Sequence, residues 1–115
     1  MSHQHSHPQS MAGKNFANAN LAGKDFRGVE LRGANFAGAD LRGTNLELAD
    51  LAGAALNEAD LSEARLNGAI LENALLDGAN LTSASLRGAD LSGASLREAC
   101  LDGAWLEGVT GLSDK

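Results

Sequence analysis

Large apolar residues recur at every fifth position along most of this chain. The series opens Phe16, Leu21, Phe26, Leu31, Phe36, Leu41, Leu46 and continues as leucine to Leu106, nineteen steps without a break in register. Two residues before each lies alanine in most units (Ala19, Ala34, Ala39, Ala49, then every unit from Ala54 to Ala104), the exceptions being Lys14, Lys24, Val29 and Thr44. Two residues after each lies glycine in twelve of the nineteen units. On an α-helix a step of five residues turns about 500°, so the leucines would scatter around the axis. On a flat strand five is an odd number, so they would alternate faces. The Ala-to-Leu spacing of two is still a strand spacing and points both side chains the same way. A glycine just beyond suits a type II turn, whose third residue needs φ > 0. The pattern therefore predicts a chain that turns once per five residues, with Ala and Leu inside and the other side chains outside.

Composition supports a single packing unit used many times. Hydrophobic residues make up 43% of the chain, but aromatics only 3% and tyrosine none, so the core lacks the mixed shapes that ordinary small domains interdigitate. A length of 115 residues allows one small domain. The net charge of −6 opposes contact with phosphates, so direct nucleic-acid binding is not expected. Acidity is concentrated mid-chain: Glu47 to Asp77 holds seven acidic residues against Arg65 alone. A lone Cys100 excludes an internal disulfide and leans towards a reducing compartment. No run is long and apolar enough for a membrane span, and no secretory leader is present. No membrane association and a cytoplasmic location are the expectations.

Units such as Ala39-Asp40-Leu41-Arg42-Gly43, Ala59-Asp60-Leu61-Ser62-Glu63 and Ala89-Asp90-Leu91-Ser92-Gly93 resemble the pentapeptide-repeat family, whose motif is Ala, then Asp or Asn, then Leu, then two variable residues. The resemblance implies an all-β fold, a right-handed quadrilateral β-helix with four units per coil, hence about 4.75 coils for nineteen units. The expected division is a tag-like leader at 1–13, the β-helix at 14–108, and a short cap or tail at 109–115. Phe16, Phe26 and Phe36 are expected to fill the first coils.

Function is best sought just before each large residue, where side chains point out and vary. From Asn15 to Asp50 this position is always Asn, Asp or Glu; then come Ala55, Arg65, Ile70, Leu75, Ser85, Ser95, Cys100 and Trp105. A twenty-residue coil would stack Asn20, Asp40, Asp60 and Asn80 in one row. That row reads either as an anionic docking stripe or as a ladder capping backbone donors. Asp40, Asp60 and Glu63, with the outward Ile70 and Leu75, are the candidate partner-binding residues. His3, His5 and His7 lie in the leader, where they suggest a tag rather than a metal site, and Met11 is a candidate start. Nothing provides a nucleophile with its base, a phosphate loop or a zinc spacing, so neither catalysis, cofactor nor metal is expected.

Three functional classes remain. One is a rod-shaped scaffold or interaction module that binds a protein partner. Another is an acidic DNA mimic, since some members of the resembling family bind type II topoisomerases and inhibit or protect them. The third is a stability or assembly element with no ligand of its own, such as half of a longer stacked rod. An open β-helix end exposes backbone groups and core. Trp105, Leu106, Val109 and Leu112 are therefore the candidate interface of an end-to-end homodimer.

Overall fold

A computed structural model describes residues 10–112. The expectations placed on His3, His5 and His7, and on the last three residues of the tail, lie outside that span. Within it the chain is a right-handed quadrilateral β-helix. Parallel pairing joins each residue of the outward row to the one twenty positions on: Asn20 to Asp40, Asp40 to Asp60, Asp60 to Asn80, and Asn80 to Cys100. Twenty residues per coil is four units of five. Each coil therefore has four sides, defined by the rows they carry. Side 1 holds Asn20 to Cys100 in steps of twenty, and side 2 holds Asp25, Asn45, Arg65, Ser85 and Trp105. Side 3 holds Ser10, Glu30, Asp50, Ile70, Asp90 and Thr110, and side 4 holds Asn15, Asn35, Ala55, Leu75 and Ser95.

The repeat works because backbone donors find acceptors in the same way in each unit of the inner coils. In the unit Ala39 to Gly43, Asp40 N donates to Ala19 O in the preceding coil, while Leu41 N and Gly43 N donate to Asp60 O and Ser62 O in the next. Ala39 N donates to Phe36 O and closes the turn between sides. The last turn residue has positive φ in all nineteen units: twelve glycines, and Asn18, Leu48, Glu58, Glu63, Asn73, Ser83 and Glu98 at φ of 59–63°. That is the type II geometry the glycines suggested. Each non-glycine bears about 1–2 kcal/mol of strain there. Several lean onto a glycine turn of the next coil. A Cβ on Gly68 would stand 2.8 Å from Leu48 Cδ2, and one on Gly78 would stand 2.5 Å from Glu58 Oε2.

Inside, the large residues of the five-residue series from Leu31 to Leu91, and the alanines two positions before them from Ala34 to Ala89, are buried. Phe16 and Phe36, one coil apart, stack with ring centroids 5.0 Å apart, and Phe26 from the opposite side meets both edge-on at 6.3 Å. The three rings together fill the first coils. Thr44 takes an alanine position while fully buried, and its hydroxyl is satisfied by donating to Leu41 O at 2.9 Å. The regular geometry starts earlier than the expected boundary at residue 14. Ser10 already pairs with Glu30, and Met11 packs on the core in the position of a large residue. At the other end Thr110 still pairs with Asp90. The last coil is only partly covered: Leu96, Leu101, Leu106 and Val109 are half-buried.

Candidate functional site

In the inner coils, four of the five backbone donors of a unit are used by the coil itself. The fifth, on the residue after the leucine, is left over and explains the outward Asn and Asp. Asn35 Oδ1 accepts from Ala37 N at 3.0 Å, Asp40 Oδ1 from Arg42 N at 3.2 Å, Asp60 Oδ1 from Ser62 N at 3.1 Å, and Asp90 Oδ1 from Ser92 N at 3.0 Å. At Ser85 and Ser95 the cap comes from the preceding coil instead. Asn67 Oδ1 accepts from Arg87 N and from Ser85 Oγ, and Asp77 Oδ1 does the same for Arg97 N and Ser95 Oγ. No spacing within one unit announces that substitution.

Asp40 and Asp60 do stack on side 1, but both are turn caps, the second of the two readings of that row. Asp40 also holds Arg42 Nη2 at 2.7 Å, and that hydrogen bond with the turn N–H lowers its carboxyl to about 2. Ser92 lowers Asp90 in the same manner through its hydroxyl and its N–H. Glu63 stands at the corner between sides 1 and 2, Ile70 on side 3 and Leu75 on side 4, so the five candidates spread around the rod and form no single site. Ile70 and Leu75 flank one corner and are 38% and 47% exposed. Leu48, missed from the sequence, is 57% exposed at the corner between sides 2 and 3.

Trp105 ends the side 2 row in the last coil. It belongs to side 2, laterally beyond Ser85, and is half-exposed, with the Arg87 guanidinium 4.7 Å above its ring. With Glu63, Arg65, Ser83, Ser85 and Arg87 it lines an open depression of about 250 Å³ on side 2. A polar ladder backs the depression at the corner between sides 2 and 3. Glu47 Oε1 accepts from Arg27 Nη1 at 2.8 Å, while Oε2 accepts from Asn67 Nδ2 at 3.0 Å and Arg65 Nη2 at 3.4 Å. Further on, Arg87 Nε donates to Glu107 Oε1 at 3.2 Å. That bond and Glu107's own backbone N–H lower the Glu107 carboxyl, the backbone bond being the larger cause.

The profile of the family described as pentapeptide repeats matches with eight copies over residues 15–47, 44–82 and 74–110. The chain belongs to the pentapeptide-repeat family. Among solved structures, the plasmid-mediated fluoroquinolone resistance protein QnrB1 in a trypsin-treated form is similar with a TM-score of 0.69 at 22% identity, over 88% of this chain. This chain spans only 59% of that QnrB1 chain. The pentapeptide-repeat protein alr5209 from Nostoc Pcc 7120 is 34% identical with a TM-score of 0.51, over 87% of this chain and 86% of its own. Rfr23 from the cyanobacterium Cyanothece 51142 is 32% identical over 87% of this chain and 89% of its own, with a TM-score of 0.42. Two other QnrB1 structures score 0.29 and 0.26. The fold comparison rests on the first two superpositions. No curated protein sequence matches the chain significantly.

The coil also sorts the charges of this pentapeptide-repeat protein by side. Side 1 and its two corners gather Asp40, Glu58, Asp60, Glu63, Asp77, Glu98 and Asp102 against Arg42 and Arg97. Side 2 with its outer corner is close to neutral: Arg27, Arg65 and Arg87 stand among Asp25, Glu47 and Glu107. No helix among the described residues is long and apolar enough to cross a membrane.

Proposed function

We propose that this pentapeptide-repeat protein is a non-catalytic, cytoplasmic rod that binds a protein partner along its C-terminal half. One observation carries the reading. At Arg65, Ile70, Leu75 and Trp105 the outward turn cap is given up for a long or apolar exposed side chain; the following N–H has no side-chain acceptor among the described residues at the first three, and after Trp105 it turns to Glu107's own carboxylate. A side-chain hydrogen bond contributes about 0.5–1.5 kcal/mol, so positions that forgo it against the repeat are where function competes with folding. The test is to return all four positions to Asn. The restored caps keep or raise the melting temperature. Calorimetry against a partner first isolated by affinity capture should then show binding lost. An unchanged affinity refutes the reading.

A second reading rests on the acidic side 1. The arrangement suits an acidic DNA mimic acting on a type II topoisomerase, in line with the fold shared with a fluoroquinolone resistance protein. Asp40→Asn, Asp60→Asn and Glu63→Gln together neutralise that side while leaving the turn acceptors in place. Under this reading the triple variant loses its effect on gyrase supercoiling, and the parent's effect fades with salt. Activity equal to the parent's rejects it.

The C-terminal coil also supports an end-to-end homodimer. Leu91, Leu96, Leu101 and Leu112 line a cleft of about 390 Å³ at that end, with Leu112 38% exposed. Light scattering should report twice the 11.8 kDa chain mass, and Leu112→Glu should return it to monomer. Adding Trp105→Ala to Leu112→Glu should leave no residual dimer. A monomeric parent at high concentration refutes the dimer.

A further inference from the structure

We infer that the depression on side 2 is a docking pocket for a single acidic side chain of the protein partner, held by Arg65 and Arg87 and bordered by Trp105. This deepens the partner-binding reading above and rests on it. Both guanidiniums are fixed from behind, which leaves their other donors for a ligand. Arg65 meets Glu47 only through Nη2, at 3.4 Å, and Arg87 meets Glu107 only through Nε, at 3.2 Å. Their remaining N–H groups have no acceptor among the described residues, although both side chains are more than half exposed. Glu47 is already shared with Arg27 and Asn67 and is 14% exposed, so it cannot neutralise Arg65 fully.

The ligand class follows from charge and shape. Paired arginine donors match a carboxylate in a planar, two-bond geometry. Glu63 on the opposite rim and the overall −6 charge work against a polyanion or a phosphate dianion. A lone carboxylate with uncharged neighbours meets little of that repulsion. Trp105 offers an apolar and aromatic surface beside the arginines, and tryptophan and arginine are the residue types that dominate binding energy at interfaces. Arg87 stacked on the ring holds the two walls of the pocket in register.

Trp105 is the only tryptophan in the chain, so its fluorescence reports on the pocket directly. The probes are a blocked peptide with one glutamate beside a leucine, the same peptide with glutamine, and inorganic phosphate. The glutamate peptide should give a saturable change in emission in about the millimolar range. Arg65→Ala or Arg87→Ala should each weaken it about tenfold. An equal response to the glutamine peptide, an equal response to phosphate, or no response to the glutamate peptide overturns the inference. The fate of the wider reading is read separately, by calorimetry with the isolated partner. If the partner keeps its full affinity for Arg65→Ala and Arg87→Ala but loses it for Ile70→Asn with Leu75→Asn, partner binding stands and the carboxylate pocket falls.

Discussion

Asp60 separates charge from hydrogen bonding on side 1. Its Oδ1 accepts from Ser62 N at 3.1 Å and from Ser62 Oγ at 2.7 Å, and it follows Asp40 in the same row. Asp60→Asn keeps an acceptor oxygen at that point and removes the negative charge. Asp60→Ala removes both. Losing two hydrogen bonds costs about 1–2 kcal/mol, taking about 0.5–1.5 for each and allowing the freed hydroxyl to turn to water. The relieved repulsion from Asp40 returns a few tenths of a kcal/mol, the usual scale for exposed charges. In a domain of about 100 residues, 1 kcal/mol corresponds to about 4–8 °C in melting temperature. Thermal unfolding followed by circular dichroism should therefore place Asp60→Ala about 5–10 °C below the parent and Asp60→Asn within about 3 °C of it. If Asn and Ala lower the melting temperature equally, the carboxylate acts through its charge and the turn-cap account fails. If Ala changes nothing, the left-over N–H is satisfied by water and the Asn/Asp preference needs another cause.

Three further perturbations test other parts of the coil. Leu61→Ala, at a fully buried position, should cost about 2–5 kcal/mol in denaturant unfolding, whereas Glu72→Ala on an exposed turn should stay within about 0.5 kcal/mol; equal costs would reverse the inward and outward assignment. Glu63→Gly should raise stability by about 0.5–1 kcal/mol, because the strain at its φ of 62° outweighs the extra chain entropy of glycine, and a lower melting temperature would contradict this. Arg42→Ala should move the NMR-detected titration of the Asp40 carboxyl up from about 2 towards its ordinary 3.8. The sign for stability follows from the depressed folded value. The Asp40–Arg42 contribution is present above about pH 4 and is lost as pH falls to about 2, so the acid limb of the Arg42→Ala profile should be shallower than the parent's.

The residues that build the inside were legible because they obey a period of five with no reference to anything distant. Leu61 points inward and Gly43 turns the corner for reasons contained in their own unit, a two-residue strand spacing and a positive φ. The outward Asn and Asp were legible as a row, but their work became clear only when the donors of a whole unit were assigned. Only then is the N–H of Ser62 seen to need Asp60.

Tertiary structure decided everything that depends on the step of twenty. Units of five close after four sides because side length and turn angle must bring backbone donors over the acceptors of the next coil, and five residues alone do not fix that number. That closure set Glu47 between Arg27 and Asn67, let Asn67 cap Arg87 where Ser85 could not, and laid Leu48 over Gly68. It also set Trp105 beside Arg87 of the preceding coil. Each of these contacts joins residues 18 to 20 apart. Side-chain chemistry at such a distance is invisible to a local pattern, and it becomes contact only once the coil has stacked.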